Sequence, residues 1–149
     1  MYRKILVALD GSPTSEIALR EAITLAKDQA ATLRLVHVVD ESPAAMNVET
    51  VYQLDDYERA LRTAGERIVA KALASVRAAG LDAESKLVEI VTLNERVADA
   101  IAAEAQHWPA DVIVIGTHGR RGFRHLLLGS VAEGVVRAAT KPVLLIRGQ

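Results

Sequence analysis

The sequence contains no cysteine, only five aromatic residues and no long apolar run. The absence of cysteine excludes a disulfide framework, and the few aromatic side chains leave few surfaces on which nucleic-acid bases could stack. The formal net charge of -1 at pH 7 gives no overall attraction to nucleic acid or to an anionic membrane. Apolar runs such as 112–115 and 142–146 are far shorter than the roughly 20 residues that a transmembrane helix needs. We therefore expect neither a general nucleic-acid-binding protein nor a membrane-spanning one.

The length and composition are those of an ordinary globular protein. Of the 149 residues, 50% are hydrophobic and 25% are charged, a balance that supports one core without metals or cross-links. We find no linker and no internal repeat, so we predict a single domain over residues 1–149. The first five residues pass directly into a β-branched run instead of the apolar core of a signal peptide, so the expected location is the cytoplasm.

Strand-like and helix-like segments alternate along the whole chain. Short apolar runs predict strands, and apolar residues at intervals of three and four predict helices. Ser12 before Pro13 is typical of a helix N-cap, and Asn94 is a candidate cap for a later helix. Residues 42–54 show little periodicity and are predicted to form an exposed loop. The predicted strands cover 5–9, 33–39, 83–91, 112–115 and 142–146, and the predicted helices run from 13 to about 29, from about 61 to Gly80, from Asn94 to Trp108 and from Ser130 to about 140.

This alternation predicts an α/β fold with a doubly wound, five-stranded parallel sheet of order 3-2-1-4-5. Right-handed crossovers between parallel strands place helices on both faces of such a sheet. The ligand crevice of this architecture lies at the carboxyl ends of the strands, where the strand order reverses. We therefore expect functional residues in the loops that follow the strands.

The segment after the fourth predicted strand carries the most chemical information. Gly116, Gly119 and Gly129 allow close approach of the backbone to a ligand or a positive φ, and Ser130 opens a helix whose free N–H groups favour an anion. Between Gly116 and Gly129 the chain contains no acidic residue, whereas it contains Arg120, Arg121, Arg124, His118 and His125. Together these features predict a phosphate-binding loop for a polyanion.

A purely structural interpretation of the same residues stays open. In it the glycines only turn the chain, Gly129 and Ser130 only cap a helix, and the arginines are solvated. Two nucleotide motifs are excluded, because the glycines at 129 and 134 lack the Lys and Ser/Thr of a P-loop and the turn after the first strand lacks GxGxxG.

The chain resembles the universal stress protein family over essentially its whole length. The resemblance rests on the pattern Gly116-x2-Gly119-x9-Gly129-Ser130, on the segment from Ile5 to Ser12, and on shorter matches at 37–39 and 141–144. It implies a Rossmann-like fold of the adenine nucleotide alpha hydrolase type. The glycine and serine pattern implies the ATP-binding branch of the family.

The resemblance also implies roles for individual residues. Asp10 would contact the ribose and help to place Mg²⁺, which is held mainly through the phosphates, and the backbone of Val38 would face the adenine edge. The phosphates would lie against Gly129, Ser130 and Val131. The complete implied ATP site is Asp10, Val38, Gly116, Gly119, Arg120, Gly129, Ser130 and Val131. The resemblance further implies a homodimer through the last strand, formed by Pro142, Val143, Leu144, Leu145, Ile146 and Arg147.

No residue pattern predicts a catalytic group or a metal site built from protein ligands alone. His37 is predicted to be a hydrogen-bonded core residue and His107 to be exposed or capping, while His118 and His125 have no carboxylate nearby in sequence. The leading hypothesis is an ATP-binding regulatory protein of the stress response, acting with an unknown protein partner. The alternatives are a slow ATPase or autophosphorylating enzyme, and a dimeric interaction module that binds no nucleotide.

Overall fold

A computed structural model describes residues 1–42, 51–118 and 128–148, and for 51–53 it describes the backbone only. Strands and helices alternate throughout these residues. The strands are β1 (Lys4–Ala8), β2 (Thr32–Asp40), β3 (Ala83–Ile90), β4 (Val112–Gly116) and β5 (Val143–Ile146). The helices are α1 (Pro13–Gln29), α2 (Val51–Ala78), α3 (Val97–His107) and α4 (Ser130–Ala138).

The strands form one parallel sheet in the order β3-β2-β1-β4-β5, which confirms the predicted topology. Successive residues of a strand point to opposite faces. On β1, Ile5 and Val7 face the layer of α1 and α2, whereas Leu6 and Ala8 face the layer of α3 and α4. All four are buried, which explains why β1 is a continuous apolar run. The edge strand β3 is half exposed, as its alternating sequence predicts.

Local sequence determines where α1 begins. The Ser12 hydroxyl accepts a hydrogen bond from the Ser15 N–H at 3.2 Å, and Pro13 occupies the first helical turn. Gly11 has a φ of +79°, which a glycine adopts without strain. The predicted start of α1 is therefore confirmed.

Two predicted boundaries are wrong. Helix α2 begins at Val51, whereas residues 51–54 were expected to belong to a loop; the remaining predicted loop, 43–50, lies outside the described residues. Asn94 is not the N-cap of α3, since that position is taken by Arg96, which makes no capping hydrogen bond with its side chain. Packing of α3 against the sheet, and not a capping side chain, sets its start.

An ion cluster closes the amino-terminal end of the sheet. Arg34 on β2 forms salt bridges with Glu84 on β3, at 2.5 Å, and with Glu104 on α3. Its guanidinium also lies 5.1 Å from the centre of the Trp108 ring, and the Lys4 ammonium lies 5.2 Å from the same ring. The salt bridge with Arg34 lowers the pKa of the Glu84 carboxyl. This end of the molecule is thus occupied by structural contacts.

Candidate functional site

A cavity of about 410 Å³ opens at the carboxyl ends of β1, β2 and β4. It lies where the sheet order reverses between β1 and β4, which is the position expected for a ligand in this architecture. Its volume falls within the range of roughly 300–1,000 Å³ that is usual for small-molecule sites. The lining residues are Ala8, Leu9, Asp10, Ser15, Val36, His37, Val38, Val97, Ile101, Ile115, Gly116, Thr117, His118, Gly129, Ser130, Val131 and Ala132. We call this cavity the crevice.

The amino terminus of α4 forms one wall of the crevice. Gly129 is the N-cap, and its N–H donates to the Thr117 carbonyl oxygen at 2.7 Å, which ties α4 to the end of β4. No side chain among the described residues caps the helix, so its first turn relies on backbone groups alone. Ser130 and Val131 are exposed at this turn. A helix start of this kind favours a bound anion, because its N–H groups and the helix dipole point outward.

Neither Gly116 nor Gly129 adopts the positive φ that the sequence suggested for glycines at this site. Gly129 has a φ of -60°, which any residue adopts, and the described glycines with positive φ are Gly11 and Gly80. Gly116 is required for packing: a Cβ there would lie 2.7 Å from Cγ2 of Thr14 on α1. Gly116 therefore lets α1 approach β4 closely, on the opposite side of the strand from α3 and α4.

Asp10 lines the crevice, two residues after the end of β1. Its Oδ1 accepts a hydrogen bond from the Ser12 N–H at 2.9 Å, and its own N–H donates to Oγ of Ser15 at 3.3 Å. The carboxylate thus stabilises the turn into α1 and also faces the crevice. The turn-stabilising role and the ligand-contact role of Asp10 are structurally compatible.

Two histidines line the crevice without forming a metal site. His37 is buried, with Nδ1 2.7 Å from the Leu9 carbonyl oxygen, which confirms it as a hydrogen-bonded core residue. Nδ1 of His118 lies 3.0 Å from Oγ1 of Thr117, and its buried Nε2 has no hydrogen-bond partner among the described residues. His107 is exposed, as expected. Across 1–42, 51–118 and 128–148 no group of three or more His, Asp or Glu could hold a metal ion.

A buried carboxylate lies just beyond β2, outside the crevice lining. The side chain of Glu41 is only 5% exposed, and its Oε1 is 3.4 Å from the guanidinium of Arg62 on α2. Arg62 makes its closer salt bridge, of 2.9 Å, with Glu89 on β3. Burial, reinforced by the nearby Glu89 charge, raises the pKa of Glu41 above its ordinary value.

The structure brings together six of the eight residues predicted from sequence. Gly119 and Arg120, with the further loop residues Arg121, Arg124 and His125, lie outside the described residues. The six that line the crevice are Asp10, Val38, Gly116, Gly129, Ser130 and Val131. Sequence reasoning missed the apolar wall formed by Val36, Val97 and Ile101, whose only sequence signal is that they are apolar residues of β2 and α3.

None of the described helices is long and apolar enough to cross a membrane. The strand β5 lies at one edge of the sheet and pairs with β4. Leu144, in its middle, is 39% exposed.

Comparison with known proteins gives a consistent result. A model of the universal stress protein family matches residues 1–147. A universal stress protein of Methanocaldococcus jannaschii is 34% identical over 148 residues, which cover 99% of this chain and 83% of that protein. A crystal structure of a protein from the same family in Burkholderia pseudomallei is 37% identical with a TM-score of 0.78, covering 97% of this chain and 96% of that chain.

Two further solved structures contain a nucleotide. The universal stress protein from Archaeoglobus fulgidus, in complex with dAMP, is 27% identical with a TM-score of 0.68, covering 97% of this chain and 98% of that chain. A universal stress protein in complex with cAMP is 26% identical with a TM-score of 0.70, covering 97% of both chains.

Proposed function

Because this chain belongs to the universal stress protein family, we propose that it binds an adenine nucleotide in the crevice and acts as a nucleotide-dependent regulatory protein of the stress response. The observation that carries the proposal is the start of α4, which has no side-chain cap among the described residues and forms a wall of the crevice. The complexes of two relatives with dAMP and cAMP support an adenine nucleotide as the ligand class.

The crevice offers a different surface to each part of such a nucleotide. The base would lie against the apolar wall of Val36 and Ile101, beside the backbone of Val38. The ribose would lie near Asp10. The phosphates would receive hydrogen bonds from the N–H groups of Ser130 and Val131, where the helix dipole favours negative charge.

We further propose ATP, with Mg²⁺ held through its phosphates, as the ligand. The support is the pattern of Gly116, Gly119, Gly129 and Ser130 together with the cationic side chain of Arg120, although Gly119 and Arg120 lie outside the described residues. Among the described lining residues, Asp10 supplies a carboxylate that could receive the cation. The cation would offset the repulsion between this carboxylate and the phosphates.

We place hydrolysis of ATP second to binding. Asp10 is the one carboxylate among the described residues that line the crevice, and its proposed contacts with the ribose and Mg²⁺ leave no second carboxylate there to orient a water molecule. An enzymatic role would therefore depend on a group from the loop after β4 or from a protein partner.

We also propose a homodimer that forms through residues 142–147. An apolar strand at a sheet edge leaves unpaired backbone groups, and pairing with a second copy satisfies them.

Light scattering at micromolar concentration tests this proposal. We expect the mass of a dimer, and Leu144→Lys should shift the measured mass toward that of the monomer. Leu93→Lys, at an exposed leucine beyond the opposite edge strand, is the matched control. A monomeric mass for the unmodified protein would contradict this proposal.

A thermal melt of ligand-stripped protein tests the nucleotide proposal. If Kd is about 10 μM, a hundredfold excess of Mg-ATP adds roughly 2.7 kcal/mol, which raises Tm by about 5 to 10 °C for this chain length. Gly129→Leu should abolish the shift, because the φ of -60° accepts leucine while the side chain crowds the phosphate position. Ala103→Leu adds the same bulk at an exposed position of α3 and should leave the shift intact.

The Tm shift is measured with AMP as well as with Mg-ATP, so that binding of the adenylate part and binding of the outer phosphates are tested separately. A shift with AMP and no further shift with Mg-ATP would leave the adenine nucleotide proposal in place and contradict ATP as the preferred ligand. No shift with either nucleotide would contradict nucleotide binding altogether.

A further inference from the structure

A second cavity, of about 390 Å³, lies on the opposite face of the sheet from α3 and α4. It runs between α1 and α2, and we call it the α1–α2 groove. It shares Leu9 and Ser15 with the crevice, so the two cavities are separated by the turn that joins β1 to α1. The nucleotide proposal assigns no role to this groove.

The floor of the α1–α2 groove is apolar. It is formed by Leu9 after β1, by Leu19 on α1, and by Ile68 and Ala72 on α2. Three of these four residues are buried, and Ile68 is half-buried and packs against the same core. The floor therefore offers a surface that an apolar chain or ring could cover.

The rim of the groove is cationic. Arg20 on α1 and Arg67 and Lys71 on α2 line it, and Glu16 is the one acidic residue among its described lining residues. Glu16 forms a 2.5 Å salt bridge with Lys71, whereas Arg20 and Arg67 make no salt bridge with any described residue. The described lining residues of the groove thus carry three positive charges and one negative charge, in a protein whose overall charge is -1.

We propose that the α1–α2 groove binds a small amphipathic anion, namely a carboxylate that carries an apolar chain. The chain would cover the floor, and the carboxylate would lie between Arg20 and Arg67, whose planar guanidinium groups bind carboxylates in a bidentate manner. Charge complementarity selects an anion over a neutral or cationic molecule of the same size. The long apolar stems of the arginines extend the floor toward the rim.

Titration of the ¹⁵N-labelled protein with octanoate, followed by NMR, tests this proposal. We expect saturable shifts of amide signals confined to α1, to α2 and to the turn between β1 and α1. Octanol and octylammonium should bind at least about tenfold more weakly, because they lack the negative charge. Shifts that do not saturate, shifts centred on the crevice or on β5, or equal binding of octanol would overturn the proposal.

Two pairs of variants distinguish octanoate binding in the groove from binding elsewhere on the surface. Arg67→Glu should weaken octanoate binding about tenfold, while Arg77→Glu makes the same change at an exposed position of α2 outside the groove and should have no effect. Ser75→Trp should fill the groove, whereas Ala74→Trp, at the exposed neighbouring position, should not. Equal effects within either pair would overturn the assignment, and melting curves verify that each variant is folded.

Discussion

Replacing Gly116 by alanine tests why a glycine ends strand β4. The added Cβ would lie 2.7 Å from Cγ2 of Thr14 and 3.3 Å from the Thr14 carbonyl carbon. Since real Cβ contacts essentially never fall below 3.0 Å, either the Thr14 side chain or the first turn of α1 must move. Overpacking of this kind costs roughly 1–3 kcal/mol, which corresponds to a fall in Tm of about 2 to 12 °C for this chain length.

A second substitution provides the internal control. Thr14→Ser removes Cγ2 and leaves contacts of 3.3 Å, which small movements relieve. The double variant Gly116→Ala with Thr14→Ser should therefore recover much of the lost stability, with a coupling energy of about 1–2 kcal/mol in a double-mutant cycle. Thr14→Ser alone should change Tm only slightly.

The assay is thermal unfolding followed by circular dichroism, together with calorimetric titration of AMP into each folded variant. We expect the double variant to bind AMP within about twofold of the unmodified protein, because the restored packing leaves the crevice unchanged. The packing role of Gly116 is refuted if Gly116→Ala melts normally or if Thr14→Ser restores nothing. A stable double variant that no longer binds AMP would instead support a role of Gly116 in ligand approach.

Three further predictions concern residues outside the nucleotide contacts. Burial and the nearby Glu89 charge raise the pKa of Glu41 above its ordinary value of 4.5. The folded state therefore holds the carboxyl proton more tightly than the unfolded state does, and the free energy of unfolding falls as the pH rises above 4.5. Glu41→Gln should raise Tm at neutral pH but not at acidic pH, and an equal Tm difference at both pH values would contradict this. Hydrogen bonds from the backbone N–H groups of residues 3 and 4 lower the pKa of Asp111. The contribution of this carboxylate to the free energy of unfolding is therefore present at neutral pH and lost on acidification. The Tm difference between the unmodified protein and Asp111→Asn should shrink as the pH falls, and a constant difference would argue against this role. A Cβ on Gly134 would lie 2.6 Å from Cβ of Ala98, so Gly134→Ala should push α4 away from α3 and lower Tm. It should also weaken AMP binding in a calorimetric titration. An unchanged affinity would show that the position of the start of α4 does not depend on this contact.

The order of the strands and helices and their arrangement in layers could be predicted, because the sequence signals for them come from residues that are close together in the chain. Apolar runs buried on both faces, as in β1, and the capping of α1 by Ser12 depend on residues close together in sequence. The error at Asn94 occurs where tertiary packing, not a capping side chain, determines the boundary. Helix α2 begins at Val51, ahead of the apolar periodicity on which its predicted start depends.

The candidate site was predictable only in part. Gly129 and Ser130 at the start of α4 follow from the sequence pattern, and the structure brings them to the carboxyl ends of the strands. The role of Gly116 was not predictable, because its contact with Thr14 joins residues about a hundred positions apart. The rim of the α1–α2 groove was missed for the same reason, since no motif links Arg20 to Arg67.

By itself, the sequence determined the alternation of strands and helices, the direction in which each strand runs and the family to which the chain belongs, because hydrophobic periodicity and short motifs are read within one segment. Only the tertiary structure decided which apolar side chains wall the crevice, which glycine serves packing and where a second cavity opens. The physical reason is that these features arise from contacts between distant segments, whose distances are set by the packing of helices on the sheet.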